Sequence, residues 1–472
     1  VNRLSAALAA VTLIRLVVAA TAPLAPDETY YWVWSHALAA GYLDHPPMVA
    51  LWIKAGTLIA GQTALGVRLV GPLAAALASW MLFDTGRVLF PGTKAGVVAA
   101  VLLNASLLLG VGTVIMTPDS PLLFFWTATL WAMARLAAGG AGGWWLAAGV
   151  FGGLALDSKY TGLFLWAGVG LWVLLVPAVR FWLRRWQPWV AGLIGLALFS
   201  PVLVWNAEHG WAGFAKQGGR VGDWKPARAV GFLAELVGGQ IGLATPLVWA
   251  LCMIGLVVAV RRSWRGRDAG WPLLVALSLP PVLVFVQHAV GDRVQGNWPA
   301  IIYPALTVAA GAMLPAKRWW TGAAGLGFAI TVLAYVQATT GLIPLPPKLD
   351  PIAMRLAGWD AVAEQVSRKA VDAAFVAVDG YAVASELAWW MPNGVPIVGM
   401  DDRWKLTDLP VATMVRGSGL LVRDARRADA PDAALWATAE QIGSATRPSG
   451  AFAIYRVTVT ANAEAEVLLP RR

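Results

Sequence analysis

Long apolar runs separated by short polar breaks fill the chain from residue 4 to about residue 340, and the pattern then changes. The runs at 4–24, 65–90, 96–115, 120–138, 144–157, 160–179, 188–205, 241–260, 271–288, 298–314 and 318–340 read as membrane-crossing helices, eleven in all. A further run, 46–60, is too short. At 1.5 Å per residue it covers roughly 22 Å, less than a ~30 Å hydrocarbon core. It predicts an amphipathic helix at the membrane interface, with Asp44 able to cap it and prolines in its first turn. The first run competes with a cleaved signal peptide, since small residues lie near 20–22, but cleavage would detach the loop that follows from its anchor. Arg15 interrupts this run and must snorkel or face protein.

From about residue 348 the apolar positions follow the shorter alternation of a soluble domain. Strand-like runs at 373–378, 396–400, 418–423 and 450–458 alternate with helical ones at 359–371, 381–390 and 431–441. The polar, Gly-rich stretch 206–240 has room for a short amphipathic helix at 226–238. The pattern therefore predicts a polytopic α-helical membrane protein with a small C-terminal α/β domain. Residues 1–345 form the membrane part, with interfacial helices in the loop 25–64, and residues 346–472 form the soluble part. No solenoid-type repeat occurs, and the α/β part carries neither a GxGxxG nor a P-loop.

Charge gives this reading a direction. Only 13% of residues are charged, against about 25% in soluble domains. The net charge of +10 would suggest nucleic-acid binding in a soluble protein, but here the basic residues sit in short loops between apolar runs. Arg87 and Lys94, Arg135, Arg180, Arg184 and Arg185, Arg261, Arg262, Arg265 and Arg267, and Lys317 and Arg318 all alternate onto the side of Arg3. By the positive-inside rule that side is cytoplasmic, and no nucleic-acid partner is expected. The loop 26–47, the turn 116–120, the loops 206–240 and 289–298 and the C-terminal domain then face outward. Cys252 is the single cysteine, which excludes an intrachain disulfide, and the four histidines show no metal-ligand spacing.

Candidate chemistry collects on the outward side. Residues 26–47 (PDETYYWVWSHALAAGYLDHPP) hold Asp27 and Glu28, an aromatic cluster with Tyr42, and Asp44-His45 before two prolines. Acids at a membrane edge need partners or a task; helix capping is the structural alternative for this pair. Asp119, in TPDSPLLFFW, is a second acid at the outer end of a run, and a base with a supporting acid is one use for such a pair. Its alternative is likewise a helix cap. In DSKY, Lys159 and Tyr160 follow a short run, so the lysine lies recessed in the outer half of the membrane. There it pairs with an anion, either Asp157 or a lipid phosphate at headgroup depth. In GDRVQGNWPAIIYP, Arg293 and Asn297 precede another run, and an Arg fork suits phosphate oxygens. A headgroup contact by Arg293 is the plainer alternative. His45 adds a titratable donor beside a helix N-terminus.

These motifs, in this order and sidedness, resemble bacterial GT-C-fold glycosyltransferases of the protein O-mannosyltransferase-like family, whose relatives include lipid A aminoarabinose and lipopolysaccharide galacturonic acid transferases. The resemblance rests on Asp27-Glu28 after the first run, DHPPM at 44–48, TPDSPLLFFW at 117–126, SKYTG at 158–162 and DRVQGNW at 292–298, and covers roughly residues 1–340. It implies an enzyme of the bacterial inner membrane that transfers a sugar, with inversion, from a polyprenyl-phosphate donor to a periplasmic lipid A, other glycan or protein acceptor. It implies no cofactor. Asp27 matches the acid that activates the acceptor hydroxyl, Glu28 completes the dipeptide and Asp119 matches the second acid. Tyr42, His45, Lys159, Tyr160, Arg293 and Asn297 fall to the donor phosphate or sugar. His45 stands where the aminoarabinose transferases carry a lysine, which argues against assigning that sugar. A lipid-linked-sugar transporter or flippase is the main alternative, but transporters place ionisable groups near the midplane and show inverted repeats. A scaffold whose outer domain binds a partner is a third.

Overall fold

The computed structural model describes residues 2–218, 225–265, 268–313, 317–346, 349–392, 394–413, 418–427, 429–460 and 465–472. Arg267, residues 219–224 of the expected polar loop and residues 347–348 at the expected domain start lie outside the described residues. The chain forms two compact units: Val1–Ala19, Leu43–Trp52 and Arg68–Tyr335 make the first, and Ala20–Tyr42, Ile53–Val67 and Val336–Arg472 the second. Residues 20–42 and 53–67 thus group with the C-terminal part, a departure from the expected division at 345/346.

The first unit is helical. Among the described residues six helices are long and apolar enough to cross a membrane: Arg3–Thr21, Ala64–Leu89, Gln187–Glu208, Pro246–Trp264, Gly270–Ala289 and Lys317–Thr340. Asp119–Ala137 and Trp144–Ser158 follow the expected runs closely, and the shorter Tyr160–Leu175 and Trp298–Met313 follow two more. The run 96–115 is not one helix. It breaks after Asn104, because the Ser106 side chain turns back to accept from Leu109 N and cap the short turn Leu107–Gly110. Of the arginines read from the sequence as topology markers, Arg135 also joins two helices, while Arg87 pairs with Asp84 within one helix. The almost buried Asp84 carboxylate pairs with both arginines and accepts from Trp131 Nε1 at 2.7 Å. Close backbone approach does similar work at Gly86, where a Cβ would lie 2.4 Å from Gly96 N.

The second unit is built on a seven-stranded sheet of β1 (Val376–Val378), β2 (Ile397–Gly399), β3 (Val411–Thr413), β4 (Ser418–Asp424), β5 (Trp436–Arg447), β6 (Gly450–Val459) and β7 (Ala465–Leu468), in the order β3-β7-β2-β1-β4-β6-β5. The β2-β1-β4 centre is parallel, and β7 and β6 flank it antiparallel. Phe375, Ala377, Val398, Leu421, Trp436 and Val457 form a buried core. The helix Trp359–Lys369 buries Trp359, Val362, Ala363 and Val366, the spacing of one helical face. Residues 431–441, expected to be helical, instead enter β5, which pairs with β6 from Trp436↔Val459 to Arg447↔Gly450. Ala, Glu and Gln in this stretch favour a helix locally, but a mostly exposed edge strand draws its stability from cross-strand pairing.

Candidate active site

In the first unit three of the sequence motifs converge on one carboxylate. Asp119 opens the helix Asp119–Ala137, and no side-chain cap closes that helix start. Its carboxylate is engaged elsewhere: Lys159 Nζ lies 2.7 Å from Oδ1 and Asn297 Nδ2 donates to Oδ2 at 2.5 Å. Lys159 reaches it because the helix Trp144–Ser158 stops there, the lysine backbone turning extended (φ −163°, ψ 143°) before the single turn Tyr160–Gly162. Asn297 immediately precedes the 3-10 turn Trp298–Ile302, and Lys159 Nζ lies 5.9 Å from the Trp298 ring centroid. The Lys159 and Asp119 side chains are only 9% and 13% exposed.

Of the two anions foreseen for Lys159, Asp157 is not the one it meets. Its partner is Asp119, while Asp157 Oδ1 is buried without a hydrogen-bond partner among the described residues. An ammonium has three donors, and a single carboxylate oxygen uses one. The group is therefore held in place and still suited to a second anion. Tyr160 stands beside this cluster in sequence, its hydroxyl 3.3 Å from Asn206 Nδ2 and its ring against Phe214 at 5.0 Å. Arg293 pairs with Glu235 at 2.7 Å, with both side chains substantially exposed. Asp44 and His45 are half-buried in the turn before Pro46-Pro47, where the Asp44 carbonyl accepts from Gln217 Nε2 at 2.7 Å. Glu235, Asn206 and Gln217 escaped the sequence reading, since nothing in their local context distinguishes them from ordinary polar residues.

In the second unit, residues 26–34 form a helix rather than a loop. Pro26 opens it and Glu28 caps it, Oε2 accepting from Ala25 N at 2.9 Å. The capping alternative thus holds for Glu28, which is wholly buried, whereas Asp27 is half-buried. Tyr42 stacks on Trp34, with ring centroids 4.1 Å apart and 7° between planes. Its hydroxyl accepts from Ala39 N and lies 2.9 Å from Ala37 O, and burial raises its pKa. These contacts fix the Tyr42 ring and hydroxyl within the loop. Thr29 Oγ1 lies 3.3 Å from Oε1 of Glu386, a buried carboxyl on the helix Tyr381–Trp390. Burial pushes the Glu386 carboxyl well above the usual range; the Thr29 contact, the Arg447 charge and the Trp390 side chain oppose this, and the Glu28 charge adds to it. Among the described residues no three His, Cys, Asp or Glu side chains converge as a metal would require.

The dolichyl-phosphate-mannose-protein mannosyltransferase family profile matches residues 44–205, the part holding Asp119 and Lys159. The lipid A galacturonosyltransferase RgtD of Rhizobium johnstonii is 29% identical over 391 residues, 81% of this chain and 76% of that protein. The crystal structure of ArnT from Cupriavidus metallidurans bound to undecaprenyl phosphate superposes with a TM-score of 0.67 at 16% identity, over 97% of this chain and 98% of ArnT. The apo form of the same protein gives 0.64 at 16% identity, over 96% and 97%. In sequence the chain is similar to membrane glycosyltransferases of the protein O-mannosyltransferase-like group, and in fold to ArnT.

Proposed function

We propose that the protein transfers a sugar, with inversion, from a polyprenyl-phosphate donor to a lipid A, other glycan or protein acceptor on the periplasmic face of the bacterial inner membrane. The observation that carries the donor half is the Asp119–Lys159–Asn297 cluster, a nearly buried cation oriented by a carboxylate oxygen that takes one of the three ammonium donors. An undecaprenyl phosphate ligand in the ArnT structure and the lipid A activity named for RgtD support the substrate classes. The alternation of basic loops supports the sidedness.

In this reading Asp27 takes the proton of the acceptor hydroxyl. The acceptor oxygen then bonds to the anomeric carbon as the bond from that carbon to the phosphate oxygen breaks. The electron pair of the broken bond leaves with the polyprenyl phosphate. Lys159 stabilises the charge that grows there, and Asp119 and Asn297 keep it oriented. Because the leaving group is a phosphate, strong acid assistance is unnecessary. Arg293, Tyr160 and His45 take donor-binding roles, and Glu28 holds the start of the Asp27 helix.

Single-turnover transfer in detergent, with donor binding measured separately, tests this. Asp27→Asn should lower turnover by about 10²–10⁴-fold with donor affinity nearly kept, as expected for loss of a general base. Normal turnover, or a failure caused by lost donor binding, would remove Asp27 from the role. Transport of the lipid-linked sugar by the reconstituted protein, without any glycosylated product, would favour a flippase.

A further inference from the structure

The helix Pro26–Trp34 is nine residues long, too short to hold its own orientation in isolation. Every residue from Glu28 to Trp34 is buried, and Pro26 and Asp27 alone of the nine keep partial exposure. The C-terminal α/β fold supplies much of what buries them. Tyr30 packs on Tyr381 at 4.6 Å and Trp404 at 5.3 Å, and Trp32 meets Trp389 edge-on at 5.0 Å. Arg403 extends the stack, its guanidinium 3.6 Å from the Tyr381 ring centroid and 5.6 Å from that of Tyr30. A polar contact in this set of packed faces joins Thr29, two residues after Asp27, to Glu386. Thr29 Oγ1 also lies 3.1 Å from Pro26 O, so one hydroxyl links the first turn of the acid-bearing helix to the α/β fold.

We propose that Glu386, acting through Thr29, is a positioning residue that sets the placement of Asp27, and that orienting this helix is a function of the C-terminal α/β fold. A wholly buried carboxyl on an otherwise apolar helix face is poorly explained by stability alone, since an apolar residue of the same size would pack there without desolvating a polar group. Its polar contact with the first turn is what an apolar residue would lack. The inference rests on the reading of Asp27 as the base.

The test uses the full-length protein in detergent, with Glu386→Leu, Glu386→Gln, Thr29→Val and the Thr29→Val/Glu386→Leu pair. Misplacement of a reacting group by about 1 Å can lower a rate on the order of 10²-fold. Glu386→Leu should therefore lower kcat by roughly 10- to 100-fold at unchanged donor KM and without loss of thermal stability. Glu386→Gln, which keeps a polar contact, should recover most of the rate. Thr29→Val should lose a similar factor, and the pair should be no worse than the worse single variant. Full kcat in Glu386→Leu, or losses that multiply in the pair, would overturn the inference. Should Glu386→Leu fail to fold, Thr29→Val decides alone, and wild-type kcat in it overturns the inference. Asp27→Asn measured alongside separates the two proposals. If Asp27→Asn is inactive with donor still bound while Glu386→Leu keeps full kcat, the positioning inference alone fails. If Asp27→Asn turns over normally, the base assignment fails and the inference falls with it.

Discussion

Removing the Asp119 carboxylate should destabilise the helical unit far more than removing its whole ion pair. Asp119 accepts from Lys159 at 2.7 Å and Asn297 at 2.5 Å, and the lysine side chain is only 9% exposed. Each charge-assisted hydrogen bond contributes about 1.5–3 kcal/mol. Stranding one member of a nearly buried pair costs about 3–5 kcal/mol, because the remaining ion loses its partner without regaining water. Asp119→Ala should therefore lose roughly 3–5 kcal/mol. Lys159→Met strands the carboxylate with Asn297 as its remaining donor and should cost a similar amount. The double variant removes both charges and leaves a small void and an unpaired amide, for a loss of about 1–3 kcal/mol. The coupling between the two sites should then be at least ~3 kcal/mol. Denaturant or SDS unfolding followed by tryptophan fluorescence, in one detergent for all four proteins, measures the cycle. Wild-type stability in Asp119→Ala would refute the reasoning, as would a double variant as unstable as the two singles summed. Donor binding should stay weak in the double variant even as stability returns, which separates the lysine's two tasks.

Three further outcomes follow from the same structure. The Arg293–Glu235 pair is exposed at both ends, so Arg293→Ala should change stability by no more than about 1 kcal/mol while donor affinity falls roughly 10- to 100-fold; unchanged affinity by titration returns Arg293 to a headgroup contact. Gly86→Ala would set a methyl 2.4 Å from Gly96 N, against backbone that cannot give way like a side chain, and should cost about 1–3 kcal/mol in the same unfolding assay. Wild-type stability there would deny the close helix contact. Burial raises the Glu386 pKa, so the folded unit holds a proton that the unfolded chain releases above about pH 4.3. Its contribution is present in full below that pH and is lost as pH rises toward the raised folded value. Glu386→Gln should flatten this decline in Tm against pH, and an unchanged slope would show that Glu386 is ionised in the fold.

Much of this molecule is legible along the chain. Apolar runs found the helices because length and hydropathy are local properties, and the shift near residue 348 located the α/β fold. Asp119, Lys159 and Asn297 stood out because polar groups at the ends of apolar runs are few and costly. What the sequence left undecided is partnership. Lys159 had an acid two residues away, yet it pairs with Asp119, 40 positions earlier, and Asn297 reaches the same carboxylate across 178 positions. Periodicity reports which face of an element is apolar and says nothing of which element will lie against it. The same limit turned residues 436–441, expected to be helical, into part of an edge strand. It also concealed that the acid-bearing helix belongs with a fold more than three hundred residues further on. Local preferences amount to tenths of a kcal/mol per residue, whereas pairing, burial and charge compensation act in whole kcal/mol between segments distant in sequence, so the tertiary structure decided wherever the two disagreed.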